Sequence, residues 1–403
     1  MGIERIPDKL STNNITDGSV TKGKFSKKIV HYNAGAPTAA DDTGLGYAQG
    51  TLWIDTTNGD MYVCTAHTAE DASWANMEGD DINPPFTIQG STYGYSAGGF
   101  KDPGSPNYPG HVDRYPLAAP TSTTDISEMA TALRDTQSGS IRSDTYGYLA
   151  GGRTTPPNQS KDIIQRFAFS APNAFSDIGE LITVRAEGGG ATDGDYGFTF
   201  GGADYAESVE LDSIERFALA ASPVTSADTS SELATVAFRL TGFTDSSNSV
   251  GYRAGGFNTG VPAGSGPVVA YDTIEKWSFN SPYPVSDYGE LSAAHLVASG
   301  TSSTTHGYVS GGADYPAYTD VNIVEKYAFA GPASTDDVGD LTAARSGIQG
   351  ASGDTHIYNA GGTDWGPSAC VNTIDRNSTS ADGNSVDAGE LTEIRGLGTG
   401  LES

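Results

Sequence analysis

Short apolar runs separated by glycine and polar residues recur along this chain, and they recur in register. The stretch HGYVSGGADYPAYTDVNIVEKYAF, residues 306–329, holds one full copy. Its first half returns as YGYLAGG at 146–152 and GYRAGGF at 251–257, and its second as IIQRFAF at 163–169 and TIEKWSF at 273–279. Gly-Gly pairs stand at Gly98-Gly99, Gly151-Gly152, Gly201-Gly202, Gly255-Gly256, Gly311-Gly312 and Gly361-Gly362, spaced by 53, 50, 54, 56 and 50 residues. Three positions before each pair is an aromatic: Tyr95, Tyr148, Phe198, Tyr252, Tyr308 and Tyr358. An aliphatic, polar, cation triplet follows, as in Ile214-Glu215-Arg216 and Val324-Glu325-Lys326; Val112-Asp113-Arg114 and Ile274-Glu275-Lys276 come after longer loops. A Glu-Leu or Asp-Leu comes next, with a basic residue four places past the leucine: Arg185, His295, Arg345 and Arg395. The third repeat has Ala237 there, and the first shifts by one to Arg134.

Each unit of about 50 residues therefore predicts four short strands: one after the basic residue, one ending in Gly-Gly, one of the IVEKYAF type, and one leading into the next basic residue. The apolar positions do not alternate strictly, as expected when both faces of a sheet are packed. One such sheet cannot bury two faces alone; six arranged radially can, each covering the next. The expected fold is all-β, a six-bladed propeller over 83–403. Its first blade is closed either by the C-terminal RGLGTGLES or by FTIQG at 86–90, with the C-terminal tail favoured. Residues 1–82 lack the repeat. Leu52-Trp53-Ile54 and Met61-Tyr62-Val63, joined through Asn58-Gly59, predict a hairpin, closed by Trp74. This divides the chain into an extended arm over 1–49, a small β-module over 50–82 and the propeller.

Composition sharpens the picture. The 403 residues include 52 glycines, which suits tight turns and short strands better than helices. Fifty acidic against 22 basic residues give a net charge of −28, which argues against nucleic acid and anionic membrane surfaces as partners. Two distant cysteines, Cys64 and Cys370, make no disulfide framework. The N-terminal stretch MGIERIPDKLSTNNITDG has no apolar core of a secretory signal.

The repeat resembles the kelch family of β-propellers: a Tyr in a strand ending in Gly-Gly, an aliphatic-Glu-x-aromatic strand, then an Arg before the next unit. It departs in the fourth strand, where kelch repeats carry a Trp and this chain has Asp-x-Gly-Glu/Asp-Leu, as at Asp177–Leu181. The hairpin, GTLWIDTTNGDMYVC followed by Ala-Ser-Trp, resembles a small module of tailed-phage virion proteins. The variant with YGYxAGG, IEKF-like strands and DxGELTxAR resembles kelch-like propellers in marine phage structural proteins. These resemblances imply a virion-proximal arm followed by a distal globular head.

Candidate chemistry is sparse. His31, His67, His111, His295, His306 and His356 show no metal-ligand spacing, and no Cys-x-x-Cys or Walker loop occurs. Neither a metal nor a cofactor is expected, and no catalytic residue. Asp177, Asp287, Asp337 and Asp387 of Asp-x-Gly are expected to cap tight turns. The acid of each IERF-type strand, and the Arg134, Arg185, Arg345 and Arg395 set, repeat too regularly for a ligand site and are expected to pair between blades. The loops after Gly-Gly are the candidate site, because they vary while the scaffold does not. They bring Asp204-Tyr205, Asp314-Tyr315 and Asp364-Trp365 to equivalent places, with Tyr108, Phe257, Tyr271 and Tyr318 nearby. Aromatic faces beside carboxylates can stack on sugar rings and bind their hydroxyls; alternatively, they fold back to seal the propeller's mouth.

The expectation is a non-enzymatic phage virion protein, a tail fibre or similar appendage located in the virion after synthesis in the host cytoplasm. Residues 1–82 would join other virion proteins and the propeller would bind a host-surface receptor, plausibly a glycan. A homo-oligomer is expected, although no heptad run is present to hold several chains. A purely structural capsid, collar or neck decoration is the alternative, and a glycan-active enzyme the third reading.

Overall fold

The structure, a computed structural model, describes residues 30–41, 47–55, 61–68, 71–76, 81–82, 86–101, 110–154, 159–260, 266–330, 333–364 and 369–403. The chain forms two compact units, Met1–Pro85 and Phe86–Ser403. Regular structure among the described residues is entirely β.

The first unit contains a five-stranded sheet in chain order: Val30–Asn33, Leu52–Asp55, Met61–Thr68, Asp71–Asn76 and Asp81–Ile82. Leu52 pairs with Val63 and Trp53 with Tyr62, while the turn containing Asn58-Gly59 lies outside the described residues. Trp53 and Trp74 meet edge to face at 5.6 Å in a core with Tyr47, Tyr62, Cys64 and Ala72. Each buried indole finds a carbonyl, Trp53 donating to Gly35 and Trp74 to Asp41. Val30–Asn33 runs parallel to Leu52–Asp55. The sheet therefore draws a strand from the segment expected to be an arm, because a two-stranded hairpin has too little surface to hold two Trp side chains dry. The basic run Lys22, Lys24, Lys27 and Lys28 lies outside the described residues.

The second unit contains one sheet per repeat. The fifth shows the plan: Ser299–Ser302, His306–Ser310, Ile323–Ala328 and Asp336–Asp340, antiparallel and in chain order. The second and third strands are buried on both faces except at the third strand's cation and ends, and the fourth is the exposed edge. The aromatic before Gly-Gly is buried in all six repeats. In five repeats the residue before it is a glycine facing the third strand's aromatic across the ladder, as Gly307 faces Tyr327. A Cβ on Gly307 would lie 2.6 Å from the Tyr327 hydroxyl. The sixth repeat replaces both partners at once, pairing Ile357 with Asn377. The glycine is thus there to make room for a ring, and where the ring is missing a large side chain fills the space.

Gly-Gly ends the second strand in left-handed backbone, with φ of +60° at Gly311 and +101° at Gly312. This turn lets the Gly312 N–H reach the Arg345 carbonyl at 2.9 Å, where a Cβ on Gly311 would stand 2.6 Å from that oxygen. Arg345 in turn sends its side chain into the next repeat, 3.1 Å from Asp375. The same joint occurs as Arg185–Glu215, His295–Glu325 and Arg395–Asp113. Each acid also accepts the N–H just past the preceding repeat's leucine: Ile182 to Glu215, Ser292 to Glu325, Thr342 to Asp375, Thr392 to Asp113. Where the basic residue is Ala237, Arg253 on the adjacent strand supplies the guanidinium to Glu275 at 2.6 Å. Where the acid is Gln165, its amide takes both the N–H and the carbonyl of Thr131. In three repeats the cation that follows in the third strand has a different job, lying over the aromatic that opens the second strand: Arg114 over Tyr93, Arg166 over Tyr146 and Arg216 over Tyr196.

The C-terminal Thr399–Glu402 is the first strand of the sheet formed by Tyr93–Ala97, His111–Pro116 and Thr124–Glu128. Thr399 also donates to the Gln137 carbonyl of the second repeat and meets Thr136 at 2.6 Å. Phe86–Gly90 takes a different place. The guanidinium of Arg142 holds the carbonyls of Thr87, Ile88 and Gln89, Gln89 donates to Ser302, and Gly90 bonds Ser352.

Two stability outcomes are expected. Deleting residues 396–403 removes the strand that ties the last repeat to the first; the melting temperature should fall by at least about 5 °C, at about 2 °C or more per kcal/mol for a domain of this size. Glu215→Ala leaves Arg185 buried without its counter-charge and should cost about 3–5 kcal/mol in denaturant unfolding.

Candidate functional site

Two residues past the basic position in four repeats, two past Ala237 in the third and one past the shifted Arg134 in the first, each repeat places one residue with left-handed backbone: Asp135, Glu187, Arg239, Val297, Gly347 and Leu397, with φ from +52° to +61°. Their peptides form a closed circle. Each N–H donates to the carbonyl of the equivalent residue one repeat earlier, and Asp135 closes the circle on Leu397, with all six bonds 2.7–2.9 Å. Five of the six are not glycine, so a conformation that L-residues rarely adopt is held by an interaction outside the local chain.

The side chains on this circle do not follow its symmetry. Asp135, Glu187 and Arg239 make a charged arc; Val297, Gly347 and Leu397, with Ile348, make an apolar one. Both line a small mouth with a cavity volume of about 30 Å³. Arg153, the residue after Gly-Gly in the second repeat, donates its Nε to Asp135 at 2.6 Å and its terminal nitrogen to Glu187 at 3.1 Å. Arg239 donates to Glu187 at 3.1 Å, and the Tyr205 hydroxyl donates to the same oxygen. Burial tends to raise the Glu187 carboxyl, but Arg239 and Arg153 outweigh it and hold it below the ordinary carboxylate value. Burial, the Glu187 charge and the hydrogen bond to Glu187 push the Tyr205 phenol far up, so it remains the donor.

The structure brings only some of the sequence-derived site residues to this mouth. Tyr205 belongs to it. Tyr205, Val297 and Tyr315 pack against Ala203, Phe238, Phe257 and Leu296, and Tyr318 stands edge to face on Tyr315 at 5.6 Å. Phe257 is 4% exposed and packs against Phe238 at 4.3 Å with the rings tilted by 37°; it is a core ring. Tyr271 is partly buried and receives the Asn258 amide. Asp204 accepts the Ala206 N–H and Asp314 the Thr319 N–H, so these carboxylates shape their loops. Asp364 ends the short strand Thr363–Asp364. Tyr108 and Trp365 lie outside the described residues. The Asp177, Asp337 and Asp387 side chains each accept the N–H of the glycine two residues on.

Sequence reasoning missed Asp135, Glu187, Arg153 and Arg239. A signal existed: aligning the repeats on Met129, Leu181, Leu233, Leu291, Leu341 and Leu391 puts Asp135, Glu187, Arg239, Val297, Gly347 and Leu397 in one column of unlike residues.

A second, smaller space of about 10 Å³ is lined by Ile88, Ser140, Phe243, Thr244, Ser302 and Ser352. Beside Ser352 stands Glu402, fully buried, accepting the Ser352 N–H at 2.9 Å and lying 3.5 Å from Arg142. Burial pushes its carboxyl up to about 7, against the pull of Arg142. No protein-family model matches the chain, and no curated protein sequence matches it.

The Glu402 carboxyl holds its proton more tightly folded than unfolded, so its contribution to stability falls as pH rises from about 4.5 to 7. Between pH 5 and 8 the wild type should lose about 3 kcal/mol relative to Glu402→Gln, measured as the difference between two urea titrations. Parallel pH profiles would show that Glu402 ionises normally.

Proposed function

We propose that the six sheets are the blades of one kelch-like six-bladed propeller, and that the chain is a non-enzymatic virion protein of the tail-fibre or appendage class. The propeller is the receptor-binding head, its ligand a host-surface glycan, and residues 1–82 attach it to other virion proteins. The blade reading is supported by the circle of six peptide hydrogen bonds, one per repeat, and by the Arg395–Asp113 joint from last repeat to first.

The observation that carries the binding reading is the gathering of Tyr205, Tyr315 and Tyr318 from the loops after two different Gly-Gly turns. Tyr318, 38% exposed, stands on a scaffold whose joints are buried and ionic. A rigid support means little ordering cost on binding, and several copies on one particle turn weak contacts into firm attachment. The net charge of −28 fits a neutral receptor better than an anionic one.

Labelled full-length chain should bind cells of a susceptible strain, from a panel of marine bacteria, saturably. The double variant Tyr315→Ala, Tyr318→Ala should keep its melting temperature within a few degrees and bind at least about tenfold more weakly. A folded wild-type chain that binds none of the strains its particle infects would overturn the receptor reading and favour a structural decoration.

A further inference from the structure

One layer of peptide groups at the mouth is left unused by the fold. The residues that follow the members of the circle are Thr136, Gly188, Leu240, Ala298, Ile348 and Gly398; all six are buried and all line the mouth. They line it with backbone. Gly188 and Gly398 have no side chain, Leu240, Ala298 and Ile348 place theirs in three separate apolar clusters, and the Thr136 hydroxyl meets Thr399. In the first strands that these residues lead into, alternate N–H groups turn inward to other repeats. Thr192 donates to Thr244, Gly190 and Gly242 to Ser138, Ser302 to Ser352, and Ser352 to Glu402. The same alternation, carried back along each strand, turns the N–H of Gly188, Leu240, Ala298 and Ile348 inward as well. Among the described residues, none of the six N–H groups meets an acceptor. Buried donors left unmatched are costly.

The surroundings select what would meet them. Three guanidiniums, of Arg134, Arg153 and Arg239, stand against the two carboxylates of Asp135 and Glu187, a local charge of +1 in a chain of −28. Both oxygens of Glu187 are already engaged, and the Asp135 side chain is fully buried. A cation would meet N–H dipoles and an excess guanidinium, so the site disfavours it. A water held by these donors alone leaves its own hydrogens unmatched, whereas an anion needs donors only. The cavity of about 30 Å³ has room for two or three waters or for one bare halide ion, and for no larger anion. Val297 and Leu397 bring apolar side chains to the same mouth, which suits a large, weakly hydrated halide better than fluoride. We propose that the mouth is a chloride site, the ion held by the inward peptide N–H groups that follow the circle. The ion would bind six repeats through one point, and so link the stability of the large unit to chloride concentration. This inference stands apart from the receptor reading: either can fail without the other.

The test uses full-length, ¹⁵N-labelled chain at constant ionic strength, with sodium chloride replacing sodium gluconate. Saturable shifts of the Gly188, Leu240, Ala298, Ile348 and Gly398 amide signals are expected. Bromide should reproduce them and fluoride should not. Leu397→Asp places a carboxylate in the mouth and should weaken chloride at least about tenfold. Leu397→Asn, its neutral counterpart, should stay within about threefold of wild type. Both residues accept left-handed backbone, and Asp135 occupies the equivalent position in the first repeat. The wild-type titration depends on neither variant. No chloride-dependent shift at these amides, an equal response to fluoride, or equal chloride affinity in a folded Leu397→Asp chain overturns the proposal and leaves the mouth to water.

Discussion

A buried carboxylate in the third strand, met in four of the six sheets by a cation at the end of the preceding repeat, is the joint on which the large unit depends. It does two things at once. It accepts an N–H from the turn that ends the preceding sheet, and it neutralises the guanidinium whose own carbonyl anchors the Gly-Gly turn. Burial works against both charges, yet in Glu215 the pull of Arg185 and its hydrogen bonds keeps the carboxyl below its usual value. Burial lowers Arg185 as well, but a guanidinium keeps its proton at any ordinary pH, so the pair is ionic. Such a pair contributes less to net stability than to choice of register, since each misalignment would strand a charge away from water.

The departures from the joint show that charge satisfaction, and not residue identity, is what the fold requires. Arg253 reaches Glu275 from a neighbouring strand because Ala237 cannot. Gln165 dispenses with a counter-ion and bonds the same backbone position through a neutral amide. The His295 ring beside Glu325 is the weakest form, at 3.3 Å. Ile357 with Asn377 makes the equivalent exchange in the apolar layer. Arg253 with Ala237, and Ile357 with Asn377, each differ from the other repeats at two positions at once while the backbone stays the same.

Symmetric backbone carrying unlike side chains is also what makes the mouth distinctive. The circle of left-handed residues uses only peptide groups, so each side chain is released from structural duty. Three became charged and interlocked through Arg153, and the rest stayed small or apolar. Repetition marks scaffold in this chain, and the column of Asp135, Glu187, Arg239, Val297, Gly347 and Leu397 breaks it.

The sequence by itself determined the repeat, the short strands, the all-β class and the turn-capping role of Asp177, Asp337 and Asp387, because these follow from local spacing and backbone preference. It also carried the prediction that the acids and the Arg set pair between repeats, since a feature recurring at every 50 or so residues belongs to the frame. It left open how the chain ends meet, and there the tertiary structure used both candidates: Thr399–Glu402 as a strand, and Phe86–Gly90 under the Arg142 guanidinium. Only the tertiary structure decided which charges share the mouth. Asp135, Arg153, Glu187 and Arg239 are separated by up to about two repeats of chain, and nothing local in any of them says that the circle of peptides will bring them within 3 Å or so of one another. It likewise decided that Phe257 is core while Tyr318 is exposed, because burial depends on what the neighbouring loop covers and not on the residue type.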